Sequence, residues 1–175
     1  LALAQLFAAG ANAAALAAAA RAIGVGLPRE PNTVSGTDPR ALWIAPGQWL
    51  LVGVDAGSIK LAEPGLDLID RSDGLVSLTV CGDNAADLLS RGVPLDLHPS
   101  VTGAARVART VMGSIDIVLE VLTPGRDYRI LVERSLTHAA WVWLADAASA
   151  YKSVATPVVE TPRRERPADA TKFAT

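Results

Sequence analysis

Cysteine is nearly absent from this 175-residue chain. Cys81 stands alone, so no intrachain disulfide holds the fold, and a reducing compartment fits. With no base placed beside it, Cys81 reads as a buried thiol at a strand end, not a nucleophile. Histidine is as scarce: His98 and His138 lie far apart with no companion cysteine, which argues against a metal site. Neither sign of charge dominates. The formal net charge of -2 lacks the clustered basic surface that a nucleic-acid backbone calls for. No uninterrupted apolar run of about 20 residues occurs, so no membrane span is expected. Gln5, Gly10, Asn12 and Arg21 break up the alanine-rich opening, which also lacks the basic stretch of a signal peptide. Missing too are a Walker loop and a Gly-x-Ser-x-Gly elbow. Gly24-Val25-Gly26 has no third glycine and follows a helix, so it predicts a helix stop and not a phosphate cradle.

What is present suffices for a core. Half of the residues are hydrophobic, and a chain of this length buries roughly 70% of its unfolded surface. One domain or two small lobes is the natural expectation for residues 1–152. Residues 153–175, with Pro157, Pro162, Pro167 and the Arg163-Arg164-Glu165-Arg166 run, have no periodicity and are expected to be a disordered tail. The hydrophobic excess owes much to alanine and also fits a surface buried by another subunit.

Punctuation along the chain places the elements. Leu3, Gln5 and Phe7 alternate as in a short strand, and Asn12 caps a helix to about Ile23. Ala41–Ala45 and Gln48–Val54 read as strands around Pro46-Gly47. A two-residue loop there pairs Trp43 with Leu50 and Ile44 with Trp49, which puts the tryptophans on opposite faces. Asp55 caps a short helix, and Leu66–Ile69 and Leu75–Val80 are strands flanking Asp70-Arg71-Ser72-Asp73-Gly74. Asp83 or Asn84 caps the helix Ala85–Arg91, stopped by Gly92 and Pro94. Arg106–Met112 and Ile115–Leu122 form a hairpin on Gly113-Ser114, followed by the strand Tyr128–Val132. Ser135 caps a last helix to about Tyr151, with Leu136, Ala140, Trp143, Leu144 and Ala147 on one apolar stripe. Trp141 lies off that stripe. Capped helices between hairpin strands predict an α+β fold of antiparallel sheets with flanking helices.

Few side chains invite chemistry. Asp70 and Asp73 suit a hydrogen-bonded turn better than an acid–base pair. Asp96, between Leu95 and Leu97 in a proline-bounded loop, is the one acid worth a functional hypothesis, since such a carboxylate is often partly desolvated. His98 is expected to bond backbone and fix the same loop. Trp43, Trp49 and Trp141 are candidates for a partner interface, with at least one expected to be exposed.

The combination of Cys81-Gly82-Asp83-Asn84, Leu95-Asp96-Leu97-His98-Pro99 and Leu42–Val52 resembles the gamma subunit of heterotetrameric sarcosine oxidase. Glu133-Arg134-Ser135-Leu136 with Trp141 and Trp143 is similar to that family's last helix. The likeness runs up to Tyr151 and implies a fold akin to the folate-binding aminomethyltransferase (T-protein) of glycine cleavage. It also implies a non-catalytic assembly subunit beside alpha, beta and delta chains in a cytosolic bacterial flavoenzyme. That enzyme demethylates sarcosine to glycine, yields hydrogen peroxide and passes the methyl carbon to tetrahydrofolate. FAD, FMN, NAD and folate then belong to the other chains, and this chain has no cofactor and no metal of its own. Asp96 is the positional counterpart of an aspartate near the folate pterin in the T-protein relatives. A structural role for it is preferred, because a shared fold does not carry over a site. The competing reading is a stand-alone folate-dependent aminomethyl-transfer enzyme using Asp96, or the equivalent subunit of a complex oxidising another N-methyl amino acid.

Overall fold

A computed structural model describes residues 1–151. The expected tail lies outside the described residues. The chain forms strands β1 (Leu3–Ala8), β2 (Val34–Gly36), β3 (Arg40–Ala45), β4 (Gln48–Val52), β5 (Leu66–Asp70), β6 (Leu75–Cys81), β7 (Arg106–Met112), β8 (Ile115–Thr123) and β9 (Asp127–Glu133). Helices α1 (Ala13–Ile23), α2 (Ala85–Ser90) and α3 (Thr137–Ser149) complete it. One sheet has the order β2-β3-β4-β1-β5 and the other β6-β9-β8-β7, and every strand pair is antiparallel. This is the expected α+β class. The Asp70–Gly74 turn is the crossing point between the sheets, since β5 and β6 belong to different ones. Asp70 Oδ1 accepts the Ser72 N–H at 2.9 Å there, and Ser72 Oγ accepts the Leu3 N–H at 3.0 Å.

Period-two alternation explains the layering. On one face of the first sheet, Ala4, Leu6, Ala41, Trp49 and Leu51 pack with Ala15, Ala19 and Ile23 of α1. The other face offers Leu3, Leu42, Ile44, Leu50 and Val52 to Val107 and Leu131 of the second sheet. The second sheet's far face buries Ile117, Leu119, Tyr128, Ile130 and Val132 against α2 and α3. Helix, sheet, sheet and helices therefore stack in that order.

Local signals place α1 as expected. Asn12 Oδ1 accepts the Ala15 N–H at 2.9 Å, and Gly24 takes the left-handed conformation at φ 83. The β7–β8 hairpin turns on Gly113 at φ 63, as its sequence requires.

Several expectations fail for physical reasons. Trp43 lies opposite Trp49, because a bulge at Ile44 shifts the register by one residue. Both tryptophans thus share the α1-facing side, not opposite faces. α2 has no side-chain cap: Asn84 makes none, and Asp83 pairs with Arg126 at 3.3 Å. Ser135 is not the cap of α3 either, because Arg134–Leu136 forms a 3₁₀ turn first. Leu136, expected on the buried stripe, is exposed. Cys81 is exposed at the end of β6 instead of buried. Partial screening of the sulfur raises its pKa, with the Asp127 carboxylate adding to the effect.

Candidate functional site

The loop carrying Asp96 is held mostly by its own polar groups. Asp96 is exposed, so the expected desolvation is absent, and its Oδ1 accepts the His98 N–H at 2.9 Å. His98 Nδ1 accepts the Ser100 N–H at 3.2 Å and lies 2.7 Å from Ser100 Oγ. His98 thus fixes backbone, as expected. Asp96, His98 and Ser100 contain the residue types of a catalytic triad without its geometry. The carboxylate holds a backbone amide and not the imidazole, and the Nδ1 lone pair that would take the serine proton is already engaged. Beneath the loop, Tyr128 is fully buried, donates its hydroxyl to the Leu97 carbonyl at 3.3 Å and accepts the Gly125 N–H at 3.1 Å. Burial pushes the Tyr128 phenol above its usual pKa.

The three candidate tryptophans do not converge. Trp49 is 4% exposed, and its indole N–H donates to the Pro28 carbonyl at 2.8 Å, so it belongs to this chain's own core. Trp43 and Trp141 are half-buried, so the expectation that at least one of the three is exposed fails. His138 is exposed on α3, where it lines an open groove of about 640 Å³ with Met112, Ile115, Val142, Trp143 and Asp146. Gly24-Val25-Gly26 forms the C-terminal stop of α1, where backbone carbonyls and not N–H groups point outward. Among the described residues, no group of three potential ligands could hold a metal ion, and no helix is long and apolar enough to cross a membrane.

The most buried charge escaped the sequence reading. Glu120 of β8 has a fully buried side chain, 2.9 Å from Arg40 of β3 and 3.0 Å from Arg129 of β9. Burial pushes its carboxyl above the ordinary range, against the opposing pull of Arg40 and Arg129. Alternation puts Glu120 on the face opposite Ile117, Leu119 and Val121, which reads as solvent-facing until a second sheet covers it. The available signal was its position deep in the apolar run Ile117–Leu122.

The chain is thus an α+β protein of two stacked antiparallel sheets. Its polar side chains brace loops and join sheets, with no nucleophile–base–acid alignment at the Asp96 loop. It belongs to the sarcosine oxidase gamma subunit family, whose profile ("Sarcosine oxidase, gamma subunit family") matches residues 8–150. It is 30% identical over 146 residues to sarcosine oxidase subunit gamma of Corynebacterium sp. (strain P-1), covering 78% of this chain and 71% of that one. It is 32% identical over 146 residues to the subunit gamma of Corynebacterium sp. (strain U-96), covering 78% and 70%. It also resembles a chain of the heterotetrameric sarcosine oxidase from Corynebacterium sp. U-96, solved in complex with pyrrole 2-carboxylate. That match has a TM-score of 0.79 at 29% identity and covers 89% of this chain and 83% of the other.

Proposed function

We propose that this chain is a non-catalytic assembly subunit of a cytoplasmic heterotetrameric sarcosine oxidase, with residues 1–152 acting as one body. The single observation that carries the reading is the family match across residues 8–150. The solved relative's heterotetrameric state and the self-engaged Asp96 loop support it. In this reading, alpha, beta and delta partners bind FAD, FMN, NAD and tetrahydrofolate. The assembled enzyme converts sarcosine to glycine, reduces oxygen to hydrogen peroxide and transfers the methyl carbon to tetrahydrofolate. The fold is akin to the folate-binding aminomethyltransferases, but Asp96 serves its loop and not folate.

The test is co-expression with the partner chains. Peroxide release is measured with sarcosine and with other N-methyl amino acids, beside the isolated chain. The complex is expected to turn over sarcosine, while the isolated chain carries no flavin through gel filtration and oxidises nothing. Asp96→Asn is expected to change assembly or loop order more than turnover. Calorimetric folate binding by the isolated chain, lost in Asp96→Asn, would replace this reading with an aminomethyl-transfer enzyme.

A further inference from the structure

An edge strand leaves a row of backbone donors and acceptors unpaired, and proteins blunt such edges with charge, shortness or cover. The outer strands of the two sheets are β2, β5, β6 and β7, and all but β6 are blunted in this way. β2 has only three residues and ends at Gly36. β5 carries Asp67 and Asp70, and the 3₁₀ turn Ala56–Ser58 packs on it. β7 carries Arg106 and Arg109, and its start is tied to the approach to β2. There the Val107 N–H donates to the Asn32 carbonyl and the Val34 N–H to the Ala105 carbonyl, both at 3.0 Å. β6 has none of these devices. Its seven residues, Leu75-Val76-Ser77-Leu78-Thr79-Val80-Cys81, include no charge, proline or glycine, and they pair with β9 without a bulge.

The ladder fixes which groups face outward. The Arg134 N–H donates to the Gly74 carbonyl at 2.8 Å and the Gly82 N–H to the Arg126 carbonyl at 3.0 Å. Between these two, the residues of β6 that bond β9 are Val76, Leu78 and Val80. Ser77, Thr79 and Cys81 turn their N–H and C=O groups away from the sheet. On that side, among the described residues, only the Leu75 N–H finds a backbone partner, the Arg71 carbonyl at 3.0 Å.

We propose that two copies of this chain pair through β6, antiparallel and edge to edge, about a two-fold axis at Leu78. The two four-stranded sheets then become one continuous sheet. An open row of N–H and C=O groups is satisfied by an extended backbone, so the occupant is a strand. Its side chains must match as well. Val76, Leu78 and Val80 lie on the face that packs against α2 and α3, whereas Ser77, Thr79 and Cys81 lie on the other, with Thr79 and Cys81 exposed. An added strand therefore needs apolar side chains toward the helices, small polar ones on the other side, and no charge. β6 is itself such a strand. The Leu78 axis pairs it over its full length: Val76 meets Val80, Ser77 meets Thr79 and Leu75 meets Cys81 of the second copy. The outward groups of Ser77 then exchange hydrogen bonds with those of Thr79. Strand pairing alone buries little area, so the dimer is weak and reversible. The inference goes beyond the assembly reading and does not depend on it.

Sedimentation of the isolated 175-residue chain over rising concentration reads the dimer, and amide exchange reads the edge. A monomer–dimer equilibrium is expected, with the Ser77, Thr79 and Cys81 amides gaining protection as the dimer fills. Thr79→Pro removes an outward donor and leaves the β6–β9 bonds in place. Symmetry loses that bond twice, so dimerisation is expected to weaken about tenfold or more. Thr79→Lys keeps every backbone group and repeats the test at an exposed position if the proline variant melts early. Leu75→Cys is expected to cross-link to Cys81 of the second copy under mild oxidation, giving a covalent dimer on a non-reducing gel. The wild type, whose two Cys81 thiols lie at opposite ends of the paired strands, is expected to stay uncross-linked. A chain that remains monomeric with those amides open overturns the proposal. Amides protected at every concentration would show that the chain covers its own edge, and overturn it too. A dimer that both Thr79 variants leave intact has its interface elsewhere, with the same consequence. Loss of partner-chain binding in Thr79→Pro, with no wild-type dimer, would give the edge to another subunit and overturn the second copy as its occupant.

Discussion

Glu120 carries a charge into the space between two sheets, where water would otherwise have to follow it. Removing a carboxylate from water is costly, and attraction to Arg40 and Arg129 returns only part of that cost. The upward displacement of its pKa expresses the balance, with burial outweighing the two guanidinium groups that face it from β3 and β9. The consequence for stability has a definite sign. A carboxyl whose folded pKa exceeds its unfolded value, about 4.3, stabilises the fold fully in acid and loses that contribution as pH rises through the folded value. Glu120→Gln, which mimics the protonated form, is therefore expected to gain on the wild type as pH increases. Each tenfold displacement of the proton equilibrium is worth about 1.4 kcal/mol, and ~1 kcal/mol moves the melting temperature of a chain this size by about 2–4 °C. Thermal scans of both proteins from pH 4 to pH 8 check this. A variant that falls further behind the wild type with rising pH would mean that the arginines dominate. The role left for Glu120 is then orientation: one carboxylate, bound from two sheets, selects one way of stacking them.

At the scale of elements, the second sheet meets its helices through one close approach. A Cβ at Gly92, just past the end of α2, would run into the Trp143 ring of α3 and crowd the Gly113 amide. Gly92→Ala is expected to cost about 1–3 kcal/mol, the usual range for overpacking. The smaller ring of Trp143→Phe should recover part of that loss, which urea midpoints of the single and double variants will read. Additive losses would show that the two residues do not compete for the same space. α3 offers a second test. Ala140, Leu144 and Ala147 hold it on the sheet, whereas Trp141 is half-buried beside the exposed Val142. Trp141→Ala is expected to weaken retention in the assembled complex with little change in monomer melting. A large drop in melting temperature would instead place Trp141 in the core.

For the whole molecule, the contact between sheets decides whether the chain behaves as one body. Leu3, Leu42, Leu50, Val107 and Leu131 share one apolar layer, and the Glu120 triad lies between the same two sheets. The isolated chain is therefore expected to unfold in one cooperative transition, with tryptophan fluorescence and far-ultraviolet dichroism coinciding. Two separated transitions would show two independent lobes. Much of this architecture was legible in the sequence because its causes are local. Asn12 and Gly24 bound α1, Gly113-Ser114 turns a hairpin, and alternating apolar residues mark the strands. The internal bonding of the Asp96 loop was legible in part, since aspartate and histidine beside proline favour bonds to nearby backbone. Other features needed the assembled fold. The bulge at Ile44 turned Trp43 and Trp49 to one side, and a two-residue loop does not announce such a slip. Alternation establishes that Glu120 faces away from Leu119, but not what lies on that side. Only the packing of β3 against the second sheet makes it a buried ion instead of a solvated one. Backbone preference and side-chain period act over a few residues and can be read from their order. Burial depends on which distant strands come to cover a face, and that is decided in three dimensions.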